Sequence, residues 1–411
     1  MKVEVLSTGT ELLRGKNVDT HLGFFARELY PAGLEVAFHQ TCGDDFGRIV
    51  DALKLAATRA DVILMTGGLG PTEDDHTRGA VEEAFHRPLK FHPPLWKAIQ
   101  DRFRKNRIRM ASINRRQAFI PDGAKVLANP NGSAPGFALR EGEVYLAALP
   151  GPPKEMHPMF RDQVLPAIRV RRDFETWEGK VYGVPEGTVD EITLKITKDP
   201  DLYGLTVRWG QVTITLRAAG PSRKKTLAGL AAKLARAFGD NLYAGELHEH
   251  VGRRLIETKT SVALAESCTG GLIAHRLTEV PGISAALLEG CVAYSNEAKI
   301  RRLGVPENLI RERGAVSAEV ARAMARGVAA TSGADLGVAV TGIAGPSGAT
   351  AGKPAGLCFL AVGDWVEEKT FTGDRSMVKE RAAGFALNML RLRLLRGEGY
   401  AGTTMGVRGL R

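Results

Sequence analysis

The sequence has few cysteines, and their scatter excludes two classes of protein. Its four cysteines form no CxxC pair, whereas a disulfide framework or a zinc site needs paired or clustered cysteines. Isolated thiols are typical of a reducing compartment, so we expect a cytoplasmic protein.

Long apolar runs are also missing. No stretch approaches the roughly 18 consecutive apolar residues of a transmembrane helix. The opening MKVEVLSTGTELLRG lacks the basic and apolar regions of a secretory signal peptide. We therefore expect a soluble chain that does not contact a membrane.

Positive charge is in excess, but the excess is local. The formal net charge is +10, and the stretch from Lys97 to Gln117 holds eight Lys or Arg residues against a single acid, Asp101. A patch this short can bind a phosphorylated small molecule as well as a nucleic acid.

The order of strand and helix patterns predicts three parts within 411 residues. Apolar strands alternate with amphipathic helices in 1–168 and again in 247–411, which is typical of α/β domains with mostly parallel sheets. Between them, 169–246 shows the polar–apolar alternation of antiparallel strands, followed by one helix pattern. We predict two α/β domains joined by a small α+β module.

In the last part, the segment VALAESCTGGLIAH ends an apolar strand in a polar turn. The strand ends at Glu266 and a helix begins near Gly271, so Ser267, Cys268 and Thr269 lie on the turn. Amides at the start of that helix can bind a phosphate or stabilise an oxyanion. A simpler role, in which Ser267 or Thr269 only caps the helix, stays open.

Two further strand ends carry polar residues. CVAYSNEAK places Tyr294 and Lys299 at a strand-to-helix transition, and VAVTGIAGP places Thr341 and Gly342 after another apolar strand. The carboxyl ends of parallel strands meet at one edge of a sheet, where α/β proteins bind ligands. The three turns therefore predict one shared site.

With GAVS (Gly314–Ser317) and FTGDR (Phe371–Arg375), these motifs resemble, in order, the C-terminal domain of the CinA family. That domain also occurs alone as an amide hydrolase of pyridine nucleotides. The resemblance implies hydrolysis of nicotinamide mononucleotide to nicotinate mononucleotide and ammonia, without a cofactor.

The resemblance also implies roles for individual residues. Ser267 would be the nucleophile, Lys299 its base, and Tyr294 an assisting group; a desolvated lysine can act as a base when its pKa is lowered. Backbone amides near Cys268 would hold the oxyanion. The residues expected to bind substrate are Cys268, Thr269, Gly270, Thr341, Gly342 and Arg375.

Cys268 is the alternative nucleophile, because a thiolate is more reactive than a hydroxyl. No His or Asn stands in an obvious relation to it, and the nearest histidine, His275, is expected to face solvent. We favour Ser267.

The first part contains a glycine-rich turn, TGGLGPTEDDHT, after an apolar strand. Gly67 and Gly68 would cradle a phosphate at the start of a helix. Glu73, Asp74 and Asp75 follow; capping is the favoured role of the first two, and the group could also bind a hard cation together with a pyrophosphate.

Together with STGTELLRGKNVDT, NPNGSAPGF and LPGPPKEM, this turn resembles the molybdopterin-binding (MoaB/Mog-like) domain. The closer match is to the variant found in CinA proteins, some of which act as ADP-ribose pyrophosphatases. The resemblance implies a divalent metal cation and a catalytic Asp75, although Asp44 could equally be a turn residue. The candidate metal ligands are Glu11, Asp19, Asp44 and Asp75, and the candidate substrate-binding residues are Gly67, Gly68, Asn114, Arg115 and Gln117.

The middle part resembles a KH-like module but lacks the GXXG loop that clamps a nucleic-acid backbone. Its charge is nearly balanced, so nucleic-acid binding is not expected there, and a structural or homodimer-forming role is favoured. We expect the partners to be small nucleotides, nicotinamide mononucleotide and ADP-ribose.

Two other functions remain open. The first part alone would fit an enzyme of molybdenum-cofactor biosynthesis. The basic patch alone would fit an accessory protein of DNA recombination or competence, whose DNA affinity should fall steeply with salt.

Overall fold

Residues 1–168 and 174–397 are described by the computed structural model of the chain. The chain forms two units that divide between Asp173 and Phe174. The predicted boundary after residue 168 adjoins residues 169–173, which lie outside the described residues. The division into three parts stays a prediction.

The first unit alternates strands and helices as its sequence pattern predicts. Its elements are β1 (Lys2–Thr8), α1 (Thr10–Leu13), α2 (His21–Leu29), β2 (Glu35–Cys42), α3 (Phe46–Arg59), β3 (Val62–Thr66), α4 (Thr77–Phe85), β4 (Leu89–Phe91), α5 (Pro93–Lys105), β5 (Phe119–Pro121), β6 (Lys125–Leu127), β7 (Gly136–Glu141), β8 (Val144–Leu149), α6 (Pro153–Met159) and α7 (Leu165–Ile168).

Six of these strands form one sheet in the order β2-β1-β3-β8-β7-β6, with β2, β1, β3 and β8 parallel. Strands β1 and β3 are buried because helices cover both faces of the sheet, and β3 is almost entirely apolar. Phe25 of α2 belongs to the core on one face, and Leu53 of α3 to the core on the other. The chain leaves β1 toward β2 and leaves β3 toward β8, so a crevice opens between the carboxyl ends of β1 and β3.

The second unit contains the remaining described elements. They are β9 (Phe174–Tyr182), α8 (Glu186–Thr197), β10 (Tyr203–Arg208), β11 (Gln211–Ala219), α9 (Arg223–Phe238), β12 (Leu242–Tyr243), α10 (Leu247–Thr258), β13 (Val262–Glu266), α11 (Leu272–Thr278), β14 (Leu287–Val292), α12 (Asn296–Leu303), α13 (Glu307–Arg313), α14 (Ala318–Ser332), β15 (Leu336–Gly342), β16 (Leu357–Val362), β17 (Trp365–Thr370) and α15 (Arg375–Arg396).

The middle module has its own antiparallel sheet, ordered β10-β11-β9-β12. Alternate residues of β11 are buried against α8 and α9, which gives the module a separate apolar core. The predicted antiparallel strands and the helix after them are therefore confirmed. Tyr182 and Tyr243 nevertheless belong to the core of the following domain, which explains why the module shares a unit with it.

The second α/β sheet has the order β14-β13-β15-β16-β17. β13 lies between β14 and β15 and is parallel to both, whereas β16 and β17 are antiparallel. Helix α15 packs on one face and α14 on the other. The ends of β13, β14 and β15, which carry the three predicted turns, meet at one edge of this sheet.

The described helices do not include one with both the length and the apolar character that a membrane crossing requires.

Two helical glycines of the second unit should respond oppositely to alanine. A Cβ at Gly327 in α14 would overlap the carbonyl oxygen of Leu303, whereas a Cβ at Gly229 in α9 would meet nothing within 4 Å. Gly327→Ala should lower the free energy of unfolding by about 1–3 kcal/mol, and Gly229→Ala should raise it by about 0.4–1 kcal/mol. Urea denaturation measures both, and equal effects would contradict the close approach of α14 to the end of α12.

Candidate functional sites

The first site joins the ends of β13 and β14 through Ser267 and Lys299. The Nζ atom of Lys299 lies 3.1 Å from Ser267 Oγ, although 32 positions separate the two residues in the chain. Lys299 lies on α12, directly after the second predicted turn, and its side chain reaches back across the sheet edge. The predicted nucleophile and base are thus in hydrogen-bond contact.

Lys299 is enclosed, and burial lowers its pKa more than the charged groups that act on it, Cys268 and Glu297, raise it. Its side chain is only 2% exposed, and its Nζ donates to the carbonyl oxygens of Ala293, at 2.9 Å, and Tyr294, at 3.2 Å. Among the residues that the structure describes, it forms no salt bridge. Burial therefore lowers the pKa of Lys299, since the charged form loses its hydration.

Glu266, which the sequence analysis passed over, holds the start of α11. Its buried carboxylate accepts hydrogen bonds from the amides of Gly271, Ile273 and Ala274, at 3.0, 3.2 and 2.8 Å. The prediction that these amides are available to a phosphate is therefore wrong. The capping role left open for Ser267 or Thr269 belongs to Glu266. A glutamate at the end of an apolar strand before a helix was the available signal.

Two backbone amides of the turn remain available for the predicted oxyanion site. The Gly270 amide donates to the Ser267 carbonyl oxygen at 3.0 Å and closes the turn. The amides of Cys268 and Thr269 remain as candidates. The Thr269 hydroxyl is buried without a hydrogen-bond partner among the described residues.

The Cys268 thiol lies in the apolar core beneath the turn, where its Sγ is 3.9 Å from Cys358 Sγ. The Cys268 thiol and burial raise the pKa of Cys358. Burial does not separate the two candidates, since Cys268 is 5% and Ser267 is 7% exposed. The contact of Lys299 with Ser267 Oγ favours Ser267 as the nucleophile. His275 has a side chain that is 68% exposed, which confirms that it faces solvent.

Tyr294 and Arg375 meet beside the third turn. Arg375, at the start of α15, donates to the Tyr294 hydroxyl at 2.5 Å and to the Gly345 carbonyl oxygen at 2.9 Å. Tyr294 is 58% exposed. The hydroxyl of Tyr294 is thus held by Arg375, while its backbone carbonyl fixes Lys299.

Thr341 and Gly342 hold the turn together. The buried Thr341 hydroxyl donates to the Ala315 carbonyl oxygen at 2.8 Å, which ties the third turn to the GAVS segment. A Cβ on Gly342 would collide with Cys358 on β16. Their predicted contact with substrate stays a prediction.

The second site is a cleft of about 400 Å³ in the first unit, between the ends of β1 and β3. Gly67 and Gly68 line it with φ of 96° and 62°. A Cβ on Gly67 would meet the Thr8 carbonyl, and one on Gly68 would meet the Thr77 hydroxyl. Only glycine therefore allows the backbone to approach so closely here.

Asp75 organises this glycine-rich turn. One carboxylate oxygen accepts from the Gly70 amide at 2.8 Å, and the other accepts from the Thr72 amide at 2.8 Å. Arg78, which the sequence analysis did not single out, donates from within the core to the Leu69 carbonyl oxygen at 2.8 Å. Burial lowers the pKa of Arg78 to about 10.

The predicted metal ligands do not come together as one group. Glu11, Asp44 and Asp75 line the cleft, but Asp19 does not; its carboxylate accepts from the His21 amide at 2.9 Å and lies 3.1 Å from His39 Nε2. Asp44 accepts from the Thr10 amide at 2.8 Å, the turn role left open for it. Within 1–168 and 174–397, no three His, Cys, Asp or Glu side chains are placed to hold a metal ion.

The basic patch is only partly directed at the cleft. Gln117 lines the cleft. The side-chain amide of buried Asn114 donates a hydrogen bond to Gln117 Oε1 at 3.3 Å. Arg115 instead stacks on the Phe91 ring, with its guanidinium carbon 4.8 Å from the ring centre. Arg116 pairs with Glu73 at 2.7 Å. The predicted capping role of Glu73 is wrong, because α4 begins at Thr77 and no side chain of the described residues caps it.

Comparison with known proteins finds two family models. Residues 244–394 match the CinA C-terminal domain, and residues 4–170 match the model described as "Probable molybdopterin binding domain". A "Putative competence-damage inducible protein" of Caldicellulosiruptor bescii is 37% identical over 96% of this chain and 100% of its own length. A "CinA-like protein" of Kosmotoga olearia is 38% identical over 96% of this chain and 99% of its own length.

Among solved structures, a CinA superfamily protein from Klebsiella pneumoniae is 34% identical. The likeness covers 37% of this chain and 97% of that one, with a TM-score of 0.36.

The cap formed by Glu266 should contribute measurably to stability. Glu266→Ala leaves three amides without their charged acceptor, so the free energy of unfolding should fall by about 2 kcal/mol or more. Ser295→Ala removes the cap of α12, which accepts only the Ala298 amide, and should cost about 1 kcal/mol. Chemical denaturation compares the two variants, and a smaller loss for Glu266→Ala than for Ser295→Ala would refute this role.

Proposed function

The chain belongs to the CinA family, and we propose that its C-terminal domain is an amide hydrolase that converts nicotinamide mononucleotide to nicotinate mononucleotide and ammonia. The contact of 3.1 Å between buried Lys299 and Ser267 supports this proposal most strongly. A serine hydroxyl is a weak nucleophile unless a base lies next to it.

The surroundings of Lys299 suit a neutral amine. Such an amine has two N–H groups, which match the carbonyl oxygens of Ala293 and Tyr294. Its lone pair is then left to accept the proton of the Ser267 hydroxyl. Burial favours this uncharged form and outweighs the opposing effects of Cys268 and Glu297.

The reaction proceeds in two halves. Ser267 Oγ attacks the carboxamide carbon while Lys299 takes its proton, and the amides of Cys268 and Thr269 stabilise the oxyanion. The C–N bond then breaks, Lys299 returns the proton to the leaving nitrogen, and ammonia departs. Water adds to the acyl-enzyme by the same route, which restores Ser267 and releases the acid.

The pH profile of the deamidase should report Lys299. Because the neutral amine is the active form, kcat/KM for nicotinamide mononucleotide should rise with pH and level off. The midpoint should lie below the ordinary lysine pKa of about 10.4, since burial lowers the pKa of Lys299. Ammonia release measured across pH tests this, and a rate that falls as pH rises through neutrality would contradict a lysine base.

Removing either member of the pair should remove the chemistry. Ser267→Ala and Lys299→Met should each lower kcat at least about 10³-fold, because a nucleophile and its base act as one unit. Cys268→Ala, whose backbone amide is unchanged, is the matched control and should retain most activity. Near-normal kcat in Ser267→Ala with an inactive Cys268→Ala would make this a thiol enzyme.

We propose a second activity, ADP-ribose pyrophosphatase, for the first unit. Its support is the glycine-lined cleft at the ends of β1 and β3, where the chain leaves the two strands in opposite directions, together with the carboxylates of Glu11 and Asp44 on the wall of the cleft. Since the described part of the chain groups no three such ligands, these residues do not form a complete protein cage for a metal. They do fit a hard cation such as Mg²⁺, which is commonly held by one or two carboxylates plus substrate phosphates; there it would offset phosphate charge.

The two activities should differ in their need for a metal. EDTA should abolish ADP-ribose cleavage and leave ammonia release from nicotinamide mononucleotide unchanged. Mass-resolved product analysis of both substrates, with and without the chelator, measures this directly. Loss of both activities, or full pyrophosphatase activity in EDTA, would show that this division is wrong.

A further inference from the structure

The start of α11 is closed to the phosphate of a nucleotide. Glu266 accepts three of its amides, so a phosphate there would face a carboxylate instead of free N–H groups. The helix is also only seven residues long. If the proposed deamidase function is right, the phosphate of its substrate must be recognised elsewhere.

The side chain of Lys379 reaches the turn that contains Ser267 and Gly270. Lys379 lies on α15, one helical turn after Arg375, and its side chain is half-buried. A Cβ on Gly270 would be 3.6 Å from Lys379 Nζ, so the ammonium group lies directly over the turn. Gly270 closes that turn on Ser267, and the ends of such a turn are within about 7 Å of each other.

Neighbouring arginines of α15 and α11 already have hydrogen-bond or ion-pair partners. Arg375 donates to the Tyr294 hydroxyl and the Gly345 carbonyl, and Arg381 donates to Thr372. Arg276 of α11 is paired with Glu380. Lys379 has no hydrogen bond or ion pair to any residue in the described part of the chain.

We infer that Lys379 binds the phosphate of the nucleotide substrate and thereby distinguishes the nucleotide from its nucleoside. This inference rests on the proposed deamidase function. An ammonium group that protein groups leave unpaired keeps its full charge for a ligand, and a charged hydrogen bond to phosphate is among the stronger polar contacts. The turn places that charge close to the nucleophile.

The experiment compares two substrates that differ only in the phosphate. Lys379→Met should raise KM for nicotinamide mononucleotide about 10- to 100-fold, the size of one charged hydrogen bond, with kcat little changed. For nicotinamide riboside, kcat/KM should not change. Lys379→Arg keeps the charge and should recover much of the loss. Lys224→Met, which removes an exposed lysine of α9, is the control for net charge and should match the wild type.

Two results would overturn the inference. An equal loss for nucleotide and nucleoside would mean that Lys379 supports the fold or the chemistry, and an unchanged KM for the nucleotide would mean that it does not meet the phosphate.

A binding measurement separates this inference from the proposed function. Calorimetry of nicotinamide mononucleotide with Ser267→Ala, with and without Lys379→Met, needs no turnover. If the wild type releases no ammonia, the deamidase proposal fails, and calorimetry alone decides: about 10-fold or more weaker binding with Lys379→Met supports the inference. Equal affinity, or no binding to either protein, overturns it.

Discussion

Parallel strands carry their carboxyl ends to the same edge of a sheet, and both candidate sites depend on this constraint. In the second unit, β13 is paired in parallel with β14 and β15. These strands end at Glu266, Val292 and Gly342, so their ends lie at one edge of the sheet. That pairing brings Lys299 to Ser267. In the first unit, the divergence of the chain after β1 and β3 opens the glycine-lined cleft.

The start of a helix is a place where ligands and side chains compete for the same amides. At α11 the competition is decided by Glu266, a buried carboxylate supplied by the preceding strand. As a result, neighbouring residues have separate roles. Glu266 fixes the turn, Ser267 is left free to contact Lys299, and positive charge for an anionic ligand comes from α15. In the first unit, Asp75 fixes the glycine-rich turn in a comparable way.

Burying a lysine outside a salt bridge costs stability when the lysine is charged. Burial lowers the pKa of Lys299, and its two contacts with backbone carbonyls need only the two N–H groups of a neutral amine. The same arrangement that makes Lys299 unfavourable as an ammonium makes it suitable as a base. Arg78 of the first unit shows the other solution, since its buried guanidinium is held by backbone carbonyls of the turn it supports.

The sequence by itself determined the strand and helix order, the α/β class of both large sheets and the antiparallel module between them. It also indicated which turns form the candidate sites, because polar residues directly after apolar strands are visible in the pattern. Only the tertiary structure decided what each polar group contacts. In the structure, Glu266 accepts hydrogen bonds from the helix amides, and Cys268 packs in the core. Asp19 lies outside the cleft that Glu11 and Asp44 line. Arg115 stacks on the ring of Phe91. These outcomes depend on side-chain directions and on contacts between residues far apart in the chain, such as Lys379 and Gly270, which local periodicity does not encode.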